Sequence, residues 1–104
     1  MKELNNENFE SEVSACNFAI VDFYTTWCGP CKALSGILEK IEKEIEDVNF
    51  FKCDAEENND VAAKFGIRNV PSLLFFKDGE AVNISVGLYN EKDILKHIDN
   101  LKNA

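Results

Sequence analysis

The chain has 104 residues, 45% hydrophobic and 29% charged, a composition that supports one small packed domain and is too apolar for a disordered chain. Its net charge is −8, from 19 acidic against 11 basic residues; such a surface repels phosphate backbones and anionic lipids, so neither nucleic acid nor membrane is expected as a partner. No apolar run is long enough to span a bilayer, and "MKELNNENFE" lacks the apolar stretch of a signal peptide, so a cytoplasmic location with reduced thiols is expected.

Met1 to Leu4 is a candidate short strand. "NNENFESEVSA" places Phe9 and Val13 one helical turn apart, with Asn5 or Asn6 as the cap, and predicts a short first helix. "FAIVDFY" (Phe18 to Tyr24) is apolar but for its aspartate, as a strand covered on both faces is. From Pro30 onward, "PCKALSGILEKIEKEIE" aligns Leu34, Ile37, Leu38, Ile41 and Ile45 on one stripe of a long helix, with a bend expected at Gly36. "VNFFKCD" (Val48 to Asp54) is the next strand, and "NNDVAAKFG" (Asn58 to Gly66) a short helix between an Asn cap and a terminal Gly. "SLLFFKDGEAVNISVG" reads as a hairpin turning at Asp78-Gly79. "NEKDILKHIDNLKN" closes the chain as a helix capped by Asn90, with Ile94, Leu95, Ile98 and Leu101 on one face.

This order predicts an α/β fold, a three-layer α/β/α sandwich around a mixed central sheet. Strands separated by helices are expected to pair in parallel through right-handed crossovers, with the hairpin as an antiparallel edge. There are no repeats, low-complexity segments or linkers, so residues 1–104 form one domain.

The stretch "WCGPCK" carries two closely spaced cysteines, Cys28 and Cys31, for which three uses compete. Zinc requires four ligands, and the other candidates, Cys16, Cys53 and His97, are scattered singly along the chain; no metal is expected. A structural disulfide closing so short a loop removes little entropy from the unfolded chain, and the expected compartment is reducing. The redox use suits the position, where a strand gives way to a helix. A helix N-terminus offers unpaired N–H groups and partial positive charge, which favour a thiolate. Pro30 fits the first turn, where its missing N–H has no partner anyway, and Gly29 lets another backbone approach. Cys28 is expected to be the exposed sulfur and Cys31 the more buried one. Cys28 then attacks a substrate disulfide and Cys31 resolves the mixed disulfide.

With "VDFYTTWCGPCK", "FFKCDAE", "FGIRNVPSLLFFKDGE" and the glycine of "SVGLYNE", the chain resembles the thioredoxin family over essentially its whole length. The resemblance implies a central sheet flanked by four helices, reversible dithiol–disulfide exchange with protein substrates, a reductase that regenerates the dithiol, no cofactor and a monomer. Read alone, Asp22 is a strand-end aspartate, exposed or capping a neighbour. The resemblance makes it a buried proton acceptor for Cys31, with a pKa raised by desolvation. Lys52, otherwise an ordinary strand lysine, corresponds to a lysine that moderates that carboxylate. Pro71, otherwise a strand-start proline, becomes a cis proline facing Cys28 that leaves the Val70 backbone free to pair with an extended substrate. Trp27, Gly29, Pro30, Val70 and Gly87 then form an apolar docking patch around it. Two departures stand out: Tyr24 where many members have a second tryptophan, and Gly36 where many have a kinking proline.

His97 reads as a solvated or half-buried surface residue and Cys53 as a buried small hydrophobe, while Cys16 is left open. The acidic runs "EKIEKEIED" and "DAEENND" are solvated faces that also bias partner choice. Other roles for the same fold are an oxidant or isomerase, which needs a secreted context, and a non-catalytic binding module, which does not require both cysteines.

Overall fold

The computed structural model describes residues 1–87 and 89–104. In chain order these form β1 (Lys2–Leu4), α1 (Phe9–Ser14), β2 (Phe18–Tyr24), α2 (Gly29–Glu44), β3 (Asn49–Asp54), α3 (Asn59–Lys64), β4 (Ser72–Lys77), β5 (Glu80–Val86) and α4 (Glu91–Lys102). The strands make one sheet in the order β1-β3-β2-β4-β5. β2, with residues 19–23 buried on both faces, is its middle strand, and a continuous apolar run suits that place. β1 and β2 both pair in parallel with β3, whereas β4 runs antiparallel to β2 and β5 antiparallel to β4.

The antiparallel pairing of β4 corrects the expectation that helix-separated strands run parallel. A crossover helix must carry the chain back along the whole strand, about 20 Å for a strand of this length. The six residues of α3 cover only about 9 Å. The chain therefore stays at the end of the sheet where β2 and β3 finish, and β4 begins there, Ser72 opposite Phe23. This places the β4 entry loop beside the loop that leaves β2.

Two apolar layers flank the sheet. On one face Phe9 and Val13 of α1 and Val61 and Ala62 of α3 pack on Val21, Phe23, Phe51, Cys53, Leu74 and Phe76. Phe9 contacts the rings of Phe23, Phe65 and Phe76, with centroids 5.4–5.9 Å apart. On the other face Leu34, Leu38 and Ile41 of α2 and Ile94, Ile98 and Leu101 of α4 cover Ile20, Phe50, Leu73 and Phe75. Leu95 does not share that face as expected: it is 37% exposed. The inward stripe of α4 runs through Ile94, Ile98 and Leu101, and a residue 100° further round lies beyond its margin. α2 stays helical through Gly36, where an added Cβ would meet nothing.

Capping also differs from expectation. α1 is preceded by Asn8, whose side chain makes no capping bond. Asn5 instead accepts the N–H groups of Glu7 and Asn8 at 2.9 and 2.8 Å, shaping the turn before the helix. Asn6 serves α3: its Oδ1 accepts the Val61 N–H at 3.1 Å, while the Asn6 N–H donates to Asn58 Oδ1 at 3.0 Å. The β4–β5 turn places Asp78 and Gly79 at φ 51° and 83°, the left-handed pair that a tight hairpin needs. Asn6→Ala leaves the Val61 N–H without its acceptor and is expected to cost about 1 kcal/mol. Urea unfolding of mutant and parent measures this; coincident midpoints would show that the cross-chain cap contributes nothing.

Candidate active site at the end of the central strand

From the end of β2 the chain runs through Thr25, Thr26 and Trp27 to Cys28, which is the N-cap residue of α2. Its φ and ψ of −95° and 113° are those of extended backbone, as an N-cap requires. Cys28 Sγ accepts the Cys31 N–H at 3.2 Å, the place that a serine or aspartate oxygen takes in an ordinary cap. The sulfur that caps the helix is thus aimed at by the N–H groups that stabilise an anion. Cys28 and Cys31 are joined in a disulfide, with Cα atoms 5.3 Å apart.

Cys28 is 7% exposed and Cys31 2%. The order is the expected one, but Cys28 is largely covered rather than openly exposed. The loop before β4 lies against it: the Val70 carbonyl oxygen is 4.0 Å from Cys28 Sγ. The Val70–Pro71 peptide is cis, and the Pro71 carbonyl accepts the Gly87 N–H at 2.9 Å. Gly87 has φ 109°, a conformation that disfavours any side chain, so this glycine ties the Pro71 loop to the end of β5. Gly29 and Pro30 are exposed on the first turn. Trp27 is 71% exposed and donates its Nε1–H to Glu56 at 3.0 Å. Beside it lies a groove of about 410 Å³, walled by Trp27, Ala62, Ile67 and Val70, with Glu56 and Arg68 adding one charge of each sign.

Asp22 lies within β2 on the α2 face. It is 1% exposed, and neither carboxylate oxygen has a hydrogen-bond partner among the described residues. Burial pushes its pKa up to about 7, while Lys52 pulls it down and Glu3 pushes it up by less. Lys52 is its register partner on β3 and is half-buried. Lys52 Nζ stands 3.9 Å from Glu3 Oε1 and 5.9 Å from the centre of the Tyr24 ring. A second cavity, of about 330 Å³, reaches Cys31 and Lys52 past Tyr24, Thr26 and Lys32.

The structure thus brings together Cys28, Cys31, Trp27, Gly29, Pro30, Val70, Pro71 and Gly87 at one end of the sheet, with Asp22 and Lys52 in the same region. The other thiols belong to the opposite layer. Cys53 is fully buried there, with its pKa pushed up to about 12 by burial. Cys16 packs at the margin of that layer and donates to the Glu12 carbonyl at 3.3 Å; burial first and Glu12 second raise its pKa. His97 packs against Phe75 and Tyr89, its Nε2 3.4 Å from Ser85 Oγ. Sequence reasoning noted Tyr24 only as a departure from the family pattern at an aromatic position by the site, and did not single out Glu3, Glu56 or Arg68. Glu3 and Tyr24 meet only once β1 has paired with β3, and no local pattern announces that pairing.

The family model described as Thioredoxin matches residues 1–100. The thioredoxin of Rickettsia bellii is 35% identical over 99 residues, covering 93% of this chain and 94% of that protein. The thioredoxin of Bacillus subtilis is 38% identical over 96 residues, covering 91% and 90%. Among solved structures, a mutant thioredoxin from Halobacterium salinarum superposes with a TM-score of 0.89 at 33% identity, covering 96% of this chain and 88% of that one. The oxidised mitochondrial thioredoxin 3 of Saccharomyces cerevisiae gives 0.88 at 32% identity, covering 96% and 94%. The sheet, the cysteine-capped helix and these matches agree: the chain belongs to the thioredoxin family of thiol–disulfide oxidoreductases, with Cys28 and Cys31 as its redox pair.

Proposed function

We propose that this chain, acting as a single domain over residues 1–104 and as a monomer in the cytoplasm, reduces disulfide-bonded proteins and is recharged by a thioredoxin reductase. The observation that carries the reading is the Cys31 N–H aimed at Cys28 Sγ at the start of a 16-residue helix. That geometry favours a Cys28 thiolate in the reduced protein. The thiolate attacks one sulfur of the substrate disulfide; a new S–S bond forms, the old one breaks, and the displaced substrate sulfur leaves as thiolate and takes a proton from water. Cys31 then passes its thiol proton to the Asp22 carboxylate and attacks Cys28 Sγ. The mixed disulfide breaks, the second substrate thiolate departs, and the Cys28–Cys31 disulfide remains. Two electrons pass from the pair to the substrate.

Asp22 suits the acceptor role because a base is most effective with a pKa near the working pH, and burial brings it to about 7. Lys52 moderates that value. Trp27, Gly29, Pro30, Val70, Pro71 and Gly87 receive the substrate, with the Val70 backbone pairing to an extended segment. Main-chain pairing reads little sequence, so substrate choice is broad.

Dithiol-dependent reduction of a disulfide-bonded protein tests the reading, and a folded chain without this activity would overturn it. Cys31→Ser is expected to accumulate a Cys28 mixed disulfide with such a substrate, and Cys28→Ser to accumulate none, as followed by non-reducing electrophoresis; equal capture by both would reverse or abolish the assignment. The Cys16→Ser/Cys53→Ser double mutant is expected to keep its turnover, and a large loss while still folded would make one of them a working thiol.

The raised pKa of Asp22 also predicts a pH-dependent stability. The unfolded carboxyl titrates near ~3.9 and the folded one at about 7, so the native state favours the protonated acid. Relative to Asp22→Asn, the parent is best below the unfolded value, loses stability as pH rises through the folded value, and carries the full penalty above it. Three pH units correspond to roughly 4 kcal/mol. The stability advantage of Asp22→Asn over the parent should therefore grow by on the order of 4 kcal/mol between pH 4 and pH 8, on top of a pH-independent cost or gain from the new amide. Urea melts of the oxidised proteins across pH measure it, and a constant difference would place the carboxyl in water.

A further inference from the structure

Three charged side chains stand in one row across the sheet. Glu3 on β1 is in register with Lys52 on β3, and Lys52 with Asp22 on β2, so all three leave the sheet on the same face. Lys52 has a carboxylate on either side and is paired with one of them. Its Nζ is 3.9 Å from Glu3 Oε1, while both Asp22 oxygens lack a hydrogen-bond partner among the described residues.

Glu3 is itself held in place. The Tyr24 hydroxyl lies 2.9 Å from each of its carboxylate oxygens, donating its proton between them, and Lys52 Nζ sits over the Tyr24 ring. The Glu3 and Lys52 side chains are 47% and 37% exposed, whereas Asp22 is 1% exposed. An ion pair with Glu3 keeps the ammonium in contact with water; moving it onto Asp22 requires desolvating it. The other groups around this end are few. Asp54 of β3 is committed to the N–H groups of Glu56 and Glu57. From α2, Cys31 and Lys32 face the cavity that Lys52 lines. β4 contributes the uncharged Leu73 opposite Asp22.

We propose that Glu3 is a positioning residue for the resolving step: clamped by Tyr24, it holds the Lys52 ammonium off Asp22 and so leaves the Asp22 carboxylate free to take the Cys31 proton. The inference rests on the reading of Asp22 as the acceptor for the Cys31 proton. Without the Glu3 charge, the carboxylate left for Lys52 in this row is Asp22. Pairing there favours the ionised acid and makes Asp22 a weaker base. Tyr24 belongs to the same device, because its hydroxyl orients Glu3 and its ring supports the ammonium.

The experiment follows the Asp22 carboxyl by carbon-13 NMR across pH, beside the single-turnover rate of mixed-disulfide resolution. It compares the parent with Glu3→Gln, Glu3→Asp, Lys52→Met and the Glu3→Gln/Lys52→Met double mutant. Glu3→Gln is expected to lower the Asp22 midpoint by about one pH unit, with the acid limb of the resolution profile moving down alongside it. Glu3→Asp, which keeps the charge, is expected to stay near the parent. Lys52→Met should raise the midpoint and shrink the effect of Glu3→Gln to less than half. An unmoved midpoint in Glu3→Gln overturns the proposal. So does an equal fall in the Lys52→Met background, because Glu3 then acts by its own charge alone. A midpoint that moves as expected while the resolution profile stays fixed supports the hold of Glu3 on Lys52 and overturns Asp22 as the acceptor.

Discussion

The carboxyl of Asp22 is buried on the middle strand of the sheet with no hydrogen-bond partner at either oxygen among the described residues, and Lys52 and Glu3 stand in register beside it. An isolated ionised carboxylate in an apolar layer is costly, and the group moves its pKa rather than bear the charge. The neighbours do not cancel the effect. Lys52, in register with it, lowers the proton affinity by less than burial raises it, and its ammonium lies 3.9 Å from Glu3 Oε1. A fully paired Asp22–Lys52 would be better satisfied and less reactive. The unpaired arrangement costs folding energy at neutral pH and, under the proposed function, leaves a base for the Cys31 proton.

Access to the site is divided between two cavities. The groove beside Trp27 and Val70 and the cavity toward Lys52 and Lys32 have only Thr25 in common. A substrate segment lying along the first therefore leaves the second open to water. That second cavity is lined by Tyr24, Cys31, Lys32 and Lys52.

Much of this was legible in the sequence because it is local. The seven residues of β2 and the Asp78-Gly79 turn arise from neighbours within a few positions and stand where the sequence places them, and the long helix begins one residue before Pro30 and ends at Glu44. What was not legible depends on register and length. The antiparallel β4 follows from a helix too short to cross back over the sheet, and helix length alone was a poor guide until the loop after α3 was placed. Asn6 was read as a cap for the helix that follows it and instead caps one more than fifty positions later. Cys28 was read as exposed because the loop that covers it, at Val70, is distant in sequence. Glu3 could not be found at all, since its place beside Lys52 exists only after β1 joins the sheet.

The two sulfurs have opposite needs, and the fold meets each with a different kind of electrostatics. Cys28 must be a thiolate before substrate arrives. A helix N-terminus supplies that continuously: its N–H groups are fixed by the backbone, need no proton partner and act at any pH. In the proposed cycle Cys31 gives up its proton only as it attacks the mixed disulfide. Cys31 is the more buried of the two sulfurs, and the proposed cycle hands its proton to Asp22. In that cycle a fixed dipole serves the first sulfur, and a titratable carboxyl, in register with a lysine that pairs with another carboxylate, serves the second. The asymmetry of the pair thus lies less in the four residues of the motif than in what the end of β2 places beneath them.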